Sequence, residues 1–517
     1  METLTSSQSQ RVLAQMTESQ KNILANTFLS FIESASTATG RATFYNTKEE
    51  QEKAIKSIHQ QLLELDRSIY SLSLLLPGFM DYSKQLSIIN LLKTQGTKNA
   101  LLDELQEKDL IAKIFGQLSI PRKLKLFVKL RKQKINNART RKLILRSILG
   151  EKNLERWVTK YKTKIADALE HAWGKRNTSI IKSILSKPSN TLSTKERGIL
   201  KNYLLKYNEG PNLTHVIFEC VAFVLGVKRT YVLPLLKAYQ ESKEELNKGA
   251  KLSYEVLEGI RSTYHKENTA AQVLELTKGQ LTKGQKIAMQ AKAKVDKVAV
   301  AFNPMDYDTI RLYLYAFKQG LTEEIEKALK EKAIKIAKDL PLQFQKIGIL
   351  IDHSQSMEGN VTQWMRPLAT TLAIRDVLKA VSKEAVVHSC GNDINANEIL
   401  LKANGDTSLA KGLLNLLEIE VETIFILSDG YENTPAGRVN EVLQLARKIG
   451  VNTPVIQINP VMAAESGGVR KLSELITTLS VNNTEALGLS MLKAMFEIDI
   501  EQGVEALLKT TVPLLGK

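Results

Sequence analysis

The sequence predicts a multidomain protein in which an all-α, HEAT-like helical-repeat region precedes a doubly wound α/β domain. Two observations predict this class. The first 340 residues place apolar side chains at three- and four-residue spacing almost throughout, which is the period of an amphipathic helix. From residue 344 onward, short apolar runs alternate with helical periods, which indicates βαβ units around a mostly parallel sheet.

The helical region contains long amphipathic segments separated by turn residues such as Pro121 and Gly150. The clearest helical segments are Gln10–Glu33, Lys48–Leu74, Thr194–Tyr207, Val232–Leu246 and Thr322–Leu340. Paired segments recur at about 30–45 residues, a spacing compatible with a solenoid of helical hairpins. We therefore expect a basic helical-repeat domain over residues 1–340.

The α/β region is predicted from apolar runs that read as buried strands. These runs are Ile347–Ile351, Ala385–Cys390, Thr423–Leu427 and Pro454–Ile458, and the helical periods between and after them are Pro367–Val381, Arg438–Ile449 and Thr484–Phe496. We expect this domain to span residues 344–497 and to be followed by a C-terminal helix or tail over 498–517.

Three segments that are distant in the chain carry oxygen ligands for a metal ion. Asp352, Ser354 and Ser356 alternate directly after the first strand, Thr407 precedes a helical segment, and Asp429 follows the strand Thr423–Leu427. Sites in open α/β sheets lie at the carboxyl ends of the strands, so these segments can meet. Two carboxylates and three hydroxyls suit Mg²⁺ or Mn²⁺ and can leave one coordination position open. The alternative is that Asp352 and Asp429 cap turns and helices.

Charge is distributed unevenly along the chain. Residues 341–517 have a net charge of −5, residues 1–340 have a net charge of +22, and residues 110–150 contain twelve basic side chains and no acidic one. The candidate RNA-binding residues are Arg122, Lys123, Lys125, Lys129, Arg131, Lys132, Lys134, Arg139, Arg141, Lys142, Arg146, Lys162, Lys164, His171, Lys175 and Arg176. Like charges without compensating acids repel one another, and a bound polyanion relieves that repulsion. We expect nucleic acid or another phosphate-rich ligand; an ordinary solvated face and an anionic membrane are the alternatives.

Aromatic residues lie close to these basic segments. Trp157, Tyr161 and Trp173 could stack on bases, although packing in the core is the simpler role for each of them.

The segments Ile349–Ser356, Gly405–Thr407 and Phe425–Gly430, in that order, resemble the metal-ion-dependent adhesion site (MIDAS) of the von Willebrand factor A domain. That resemblance implies that a divalent metal grips an acidic group of a partner instead of performing chemistry. Asp352, Ser354, Ser356, Thr407 and Asp429 match the metal positions of the motif. Gln355 stands where a small residue is more usual, and His353 is expected to be a packing residue.

A helical array followed by an A domain is the order found in the Ro autoantigen family, the TROVE-type RNA-binding proteins, which this chain resembles in size and charge placement. The resemblance implies a ring of helical repeats, a ribonucleoprotein and a non-catalytic role in binding structured or single-stranded RNA. The alternative is an adaptor or co-chaperone of a MoxR-type AAA+ ATPase that uses the A domain for Mg²⁺-dependent contact with a protein.

Several function classes are disfavoured. We find no Cys–His or Ser–His–Asp arrangement in a convincing context, and the duplicated Leu276–Gln280 and Leu281–Gln285 lack the Gly-Lys-Ser/Thr ending of a phosphate-binding loop, so we expect no enzyme. The two cysteines, Cys220 and Cys390, cannot form a disulfide framework. With no secretion signal and no membrane span expected, a cytoplasmic location is the prediction.

Overall fold

The computed structural model of the protein describes residues 13, 16–37, 47–76, 78–94, 102–338, 344–359, 361, 363–390, 395–460, 470–481, 492, 496 and 500–515. Helices occupy most of this chain as far as Lys338, and a five-stranded sheet begins at Phe344. The predicted fold class is therefore confirmed, with an all-α part that precedes an α/β part. None of the helices in these ranges is both long enough and apolar enough to cross a membrane.

The helical part consists of α-helices joined by short turns. They are α1 Glu18–Thr37, α2 Lys48–Leu65, α3 Arg67–Ser73, α4 Asp81–Lys93, α5 Glu104–Gln117, α6 Ile120–Lys132, α7 Ala138–Leu149, α8 Leu154–Trp173, α9 Lys175–Leu185, α10 Thr194–Tyr203, α11 Thr214–Val224, α12 Pro234–Glu241, α13 Tyr254–Tyr264, α14 Ala270–Thr277, α15 Lys283–Val295, α16 Thr309–Gln319 and α17 Glu323–Lys338.

Two predicted helical segments are divided or shorter in the structure. The predicted segment Lys48–Leu74 is two helices, because Asp66 adopts an extended conformation between α2 and α3. The Asp66 carboxylate accepts a hydrogen bond from the Ile69 N–H at 2.7 Å, which caps the start of α3. Likewise, the predicted segment Val232–Leu246 contains only the short helix α12, followed by a 3₁₀ turn at Leu246–Gly249.

The contacts divide the chain into two compact units. We call residues 89–95 and 115–302 the basic unit, and residues 1–88, 96–114 and 303–517 the mixed unit. The basic unit holds 39 Lys and Arg against 15 Asp and Glu, a net charge of +24, whereas the mixed unit has a net charge of −7. The predicted domains, residues 1–340, 344–497 and 498–517, differ from these two units. The change from helices to a sheet does lie between Lys338 and Phe344, but the domain boundaries stay a prediction.

The sheet of the mixed unit is entirely parallel. Its strands are β1 Phe344–Ile351, β2 Ser382–Ser389, β3 Thr423–Leu427, β4 Val455–Asn459 and β5 Thr477–Ser480, in the order β2-β1-β3-β4-β5. The associated helices are α18 Arg366–Val381, α19 Ala410–Leu417, α20 Arg438–Lys448 and the C-terminal α21 Ile500–Thr511. Strand β5 was not predicted, and of the predicted helix Thr484–Phe496 only Leu492 and Phe496, both helical, lie within the described residues.

Helices of the first part cover the α/β domain inside the mixed unit. Helices α16 and α17 pack on α18, where the fully buried guanidinium of Arg375 donates to the hydroxyl of Tyr313 at 3.4 Å and to the carbonyl of Glu398 at 2.6 Å. The C-terminal α21 packs on α1 and α3. The same mixed unit therefore contains both ends of the described chain.

Helix α8 is the centre of the basic unit. It packs against α6, α7, α9, α11 and α12. Its side chains Trp157, Ile165 and Leu169 are almost completely buried in these contacts. Charged residues of the surrounding helices are consequently displayed on the outside of an apolar core.

Candidate metal site and basic surface

The predicted metal ligands lie at the carboxyl edge of the sheet. Asp352 follows β1 and Asp429 follows β3, and these two strands are parallel neighbours with Ile351 opposite Leu427. Strand β2 lies on one side of β1, whereas β3 and β4 lie on the other side. The order of the strands therefore reverses between β1 and β3. Ligand sites in doubly wound sheets form at such a switch point.

The Asp352 carboxylate is completely buried and is the most heavily hydrogen-bonded group of the site. Its Oδ1 accepts from the Ser354 N–H at 2.9 Å and from the Cys390 thiol at 3.6 Å. Its Oδ2 accepts from the Ser428 hydroxyl at 2.7 Å. These three donors fix the orientation of the carboxylate. Ser428 and Cys390 are contributors to the site that the motif did not reveal.

The hydroxyls of the first loop connect the two aspartates. Ser354 Oγ lies 3.1 Å from Ser356 Oγ. The Ser356 hydroxyl in turn donates to the Asp429 carboxylate and thereby lowers its pKa. A continuous series of hydrogen bonds therefore links Asp352, through the N–H and hydroxyl of Ser354 and the hydroxyl of Ser356, to Asp429.

Thr407 is held at the same edge by backbone hydrogen bonds. The Gln355 N–H donates to the Gly405 carbonyl at 3.0 Å, and the Asn404 N–H donates to the His353 carbonyl at 2.9 Å, which joins the first and second loops. The Thr407 N–H donates to Asn433 Oδ1 at 2.9 Å, which joins the second loop to the third. Helix α19 begins three residues later, at Ala410.

Burial, followed by like charge, dominates the electrostatics of the site. Burial and the neighbouring Asp352 carboxylate raise the pKa of Asp429 to about 6, although the Tyr431 N–H, the Ser356 hydroxyl and Arg470 lower it. A divalent cation between two such carboxylates removes the repulsion that raises the pKa. Donors of this kind, two carboxylates with three hydroxyls, fit Mg²⁺ or Mn²⁺. Within the described ranges no cluster of three His, Cys, Asp or Glu side chains has metal-binding geometry, and this site offers two carboxylates together with hydroxyls.

The two intervening residues of the first loop have different environments. His353 is 2% exposed, and its Nδ1 lies 3.2 Å from the carbonyl of Lys402, which agrees with the predicted packing role. Gln355 is exposed and its amide donates to Glu358. The larger side chain at this position is thus accommodated outside the loop.

The sixteen candidate RNA-binding residues all lie in the basic unit, and they fall into three groups. Seven are exposed and have no ion pair or side-chain hydrogen bond within the described residues: Lys125, Lys132, Lys134, Lys142, Lys164, Lys175 and Arg176. Arg141 is also exposed, and its Nη1 donates to the Asn136 carbonyl at 3.1 Å. These eight cations remain available to a polyanion.

Other candidates are engaged with the protein. Arg131 pairs with Asp167 at 2.7 Å and with Glu170 at 3.2 Å, and Arg146 pairs with Glu209. Arg139 donates to the carbonyls of Leu91 at 3.0 Å and Thr94 at 2.6 Å. The acids missing from residues 110–150 are therefore supplied in part by later segments, which corrects the expectation of uncompensated charge.

The remaining candidates are half-buried. Lys123 lies 5.0 Å from the centre of the Phe115 ring and Lys162 lies 4.4 Å from that of Phe223, and burial lowers the pKa of both lysines. His171 Nε2 lies 3.0 Å from the Ile135 carbonyl. Arg122 and Lys129 are half-buried on α6.

Helix α6 shows how the sequence arranges its cations. Arg122, Lys125, Lys129 and Lys132 recur at three- and four-residue spacing, so they form one stripe along the helix. Leu124, Phe127 and Leu130 occupy the opposite, buried face. The stripe is a direct consequence of the helical period.

Comparisons with known proteins find a likeness in structure but none in sequence. No protein-family model matches the chain, and no curated protein matches it. Among solved structures, the chain is similar to the crystal structure of Deinococcus radiodurans RO (RSR) protein, with 14% sequence identity and a TM-score of 0.35. This match covers 92% of the present chain and 99% of the Deinococcus chain. A likeness at this identity and TM-score carries no argument about binding, so what the protein binds is inferred from its own side chains.

Proposed function

We propose that the protein binds RNA without catalysis, through the exposed cations of the basic unit. The observation that carries the proposal is the concentration of charge, because the basic unit has a net charge of +24 while the mixed unit has −7. Phosphates are the natural counter-ions for such a surface, and displacement of their condensed cations drives association. RNA fits better than a small anion because the available lysines and arginines are distributed over α6 to α9.

We further propose that the α/β domain binds Mg²⁺ or Mn²⁺ and, through it, an acidic group of a protein partner. Asp352, Ser354, Ser356, Thr407 and Asp429 would hold the ion. The bound ion would supply a Lewis-acidic position for a partner carboxylate. The hydrogen bonds to Asp352 support this role, since they fix its oxygens before any ion arrives.

The RNA proposal is tested by reversing four exposed lysines of the basic unit. Lys132, Lys142, Lys164 and Lys175 are changed together to Glu, which leaves the paired Arg131 and Arg139 intact. The matched control reverses four exposed lysines of the mixed unit, Lys335, Lys338, Lys383 and Lys448, and changes the net charge equally.

Binding of a short single-stranded RNA is measured by fluorescence anisotropy across a salt series. Each lost phosphate contact lowers the slope of log affinity against log salt by about 0.7, so four contacts lower it by about 2.8. Because this term vanishes near 1 M salt, affinity at about 0.1 M salt should fall about 600-fold. An equal loss in the control, or an unchanged slope in the first variant, contradicts the proposal. Mg²⁺-dependent capture of an ATPase by a protein that retains no RNA would favour the adaptor alternative.

A further inference from the structure

A cavity of about 470 Å³ opens at the meeting point of four helices in the basic unit. Its wall comes from α7, from the junction of α8 and α9, and from the end of α10 with the following 3₁₀ turn Leu205–Tyr207. The volume lies in the range of small-ligand sites. Its lining includes Arg141, Trp173, Gly174, Asn202, Tyr203 and Tyr207.

Trp173 forms part of the cavity wall and is 5% exposed. Its indole N–H makes no hydrogen bond within the described residues and is closed off from the cavity. Only the ring of Trp173 is therefore open to a ligand.

The cavity also contains the amino terminus of an eleven-residue helix. Helix α9 begins after Gly174, whose φ is +82° and which provides no side-chain cap for the first N–H groups. Such a terminus carries partial positive charge and favours an anion. Arg141 adds a full positive charge to the same wall. The anionic group of a ligand would be stabilised at this end.

The rest of the wall offers aromatic and amide groups. Tyr203 and Tyr207 are half-buried, and Asn202 is exposed with no side-chain hydrogen bond within the described residues. Aromatic rings stack on nucleobases, and side-chain amides pair with base edges. The cavity therefore has positive charge at one end and aromatic rings and an amide beside it. This arrangement matches a ligand in which a phosphate is joined to a base.

We propose that this cavity binds a single nucleotide. The phosphate lies at the amino terminus of α9 near Arg141, and the base lies against Tyr203 and Tyr207. The inference rests on the proposed function, because a strand on the basic surface would insert one of its nucleotides here. Free mononucleotides have the same chemistry, and the experiment separates the two sources.

The test compares Tyr203→Ala with the parent protein and with Tyr203→Phe, which retains the ring. Asn202→Ala is a second variant, since this exposed side chain can be removed without disturbing the core. Tyr264→Ala is the matched control, because Tyr264 is an exposed aromatic residue of the basic unit that does not line the cavity. The probes are a short single-stranded RNA, a charge-matched abasic ribose-phosphate oligomer, and AMP as a competitor.

We expect Tyr203→Ala to weaken RNA binding by about 5- to 150-fold, the contribution of one stacked base, with an unchanged salt slope. Asn202→Ala should weaken it less, whereas Tyr203→Phe and Tyr264→Ala should bind like the parent. The abasic oligomer should bind the parent and Tyr203→Ala equally. Competition by AMP would identify a free nucleotide as a ligand, and its absence would identify a nucleotide within a strand. If Tyr203→Ala and the parent bind RNA with equal affinity and AMP does not bind, the inference about this cavity is overturned while the proposed function stands. If the parent binds no RNA, the proposed function is overturned.

Discussion

Removing one carboxylate from the candidate metal site should have opposite effects with and without the ion. In Asp429→Asn the amide oxygen can still accept the hydrogen bond that the Tyr431 N–H makes at 3.0 Å. The substitution removes the charge that opposes Asp352. In metal-free protein it should therefore stabilise the mixed unit, whereas with Mg²⁺ it should abolish most of the stabilisation by the ion.

The magnitude follows from the pKa of Asp429, which is raised from 3.8 to about 6. Because the native carboxyl group holds its proton more tightly than the unfolded one, this group favours the native state below about pH 4, and that advantage is lost as the pH rises through about 6. A shift of about two pKa units corresponds to about 3 kcal/mol. Asp429→Asn should thus raise the free energy of unfolding by up to about 3 kcal/mol at pH 8 in EDTA, and by much less at pH 4.

The assay is urea unfolding followed by circular dichroism at pH 4 and pH 8, with EDTA or with Mg²⁺. A ligand that binds only the native state stabilises it by RT ln(1 + [L]/Kd), so Mg²⁺ should raise the midpoint of the parent at pH 8 and change that of Asp429→Asn little. Asp352→Asn provides the contrast, because an amide group at this position would oppose the Ser428 hydroxyl donor and should destabilise the protein with or without Mg²⁺. Destabilisation of Asp429→Asn in EDTA at pH 8, or an equal Mg²⁺ effect in variant and parent, would refute the reasoning.

Two further substitutions test the roles of individual residues. Arg139→Ala should lower the free energy of unfolding by about 1.5–3 kcal/mol, because it removes charged hydrogen bonds to the Leu91 and Thr94 carbonyls. It should leave the salt slope of RNA binding unchanged. A slope lower by about 0.7 would show that Arg139 contacts a phosphate instead. Gly412→Ala should destabilise the α/β domain by about 1–3 kcal/mol, because an added Cβ would lie 2.5 Å from Leu350 Cδ1. Gly284→Ala, a helical position with nothing within 4 Å, is its control and should be neutral or stabilising in the same urea-unfolding assay.

The fold was predictable where one physical signal dominates. Apolar runs such as Thr423–Leu427 are buried, and the aspartate two residues beyond that strand lies at the carboxyl edge of the sheet as the pattern predicts. Strand β5 was missed because Thr477–Ser480 is short and largely polar, and its assignment depends on pairing with β4. The break at Asp66 was missed because the apolar period continues across it.

The motif identifies the aspartates of the candidate site, but it does not identify the residues that support them. The motif identifies Asp352 and Asp429, but Cys390 and Ser428 reach Asp352 from positions 38 and 76 residues away. The partners of Arg131 could not be predicted for the same reason, because they lie 36 and 39 residues later in the sequence. Charge runs therefore identify a basic surface, while only the fold shows which cations are available.

The most direct measurement of the central claim is to map ultraviolet crosslinks between the protein and bound RNA by mass spectrometry. The concentration of charge in the basic unit predicts that crosslinked peptides come from residues 115–302, including α7 to α10, with or without EDTA. Crosslinks confined to residues 344–481, or crosslinks that disappear when Mg²⁺ is removed, would contradict it.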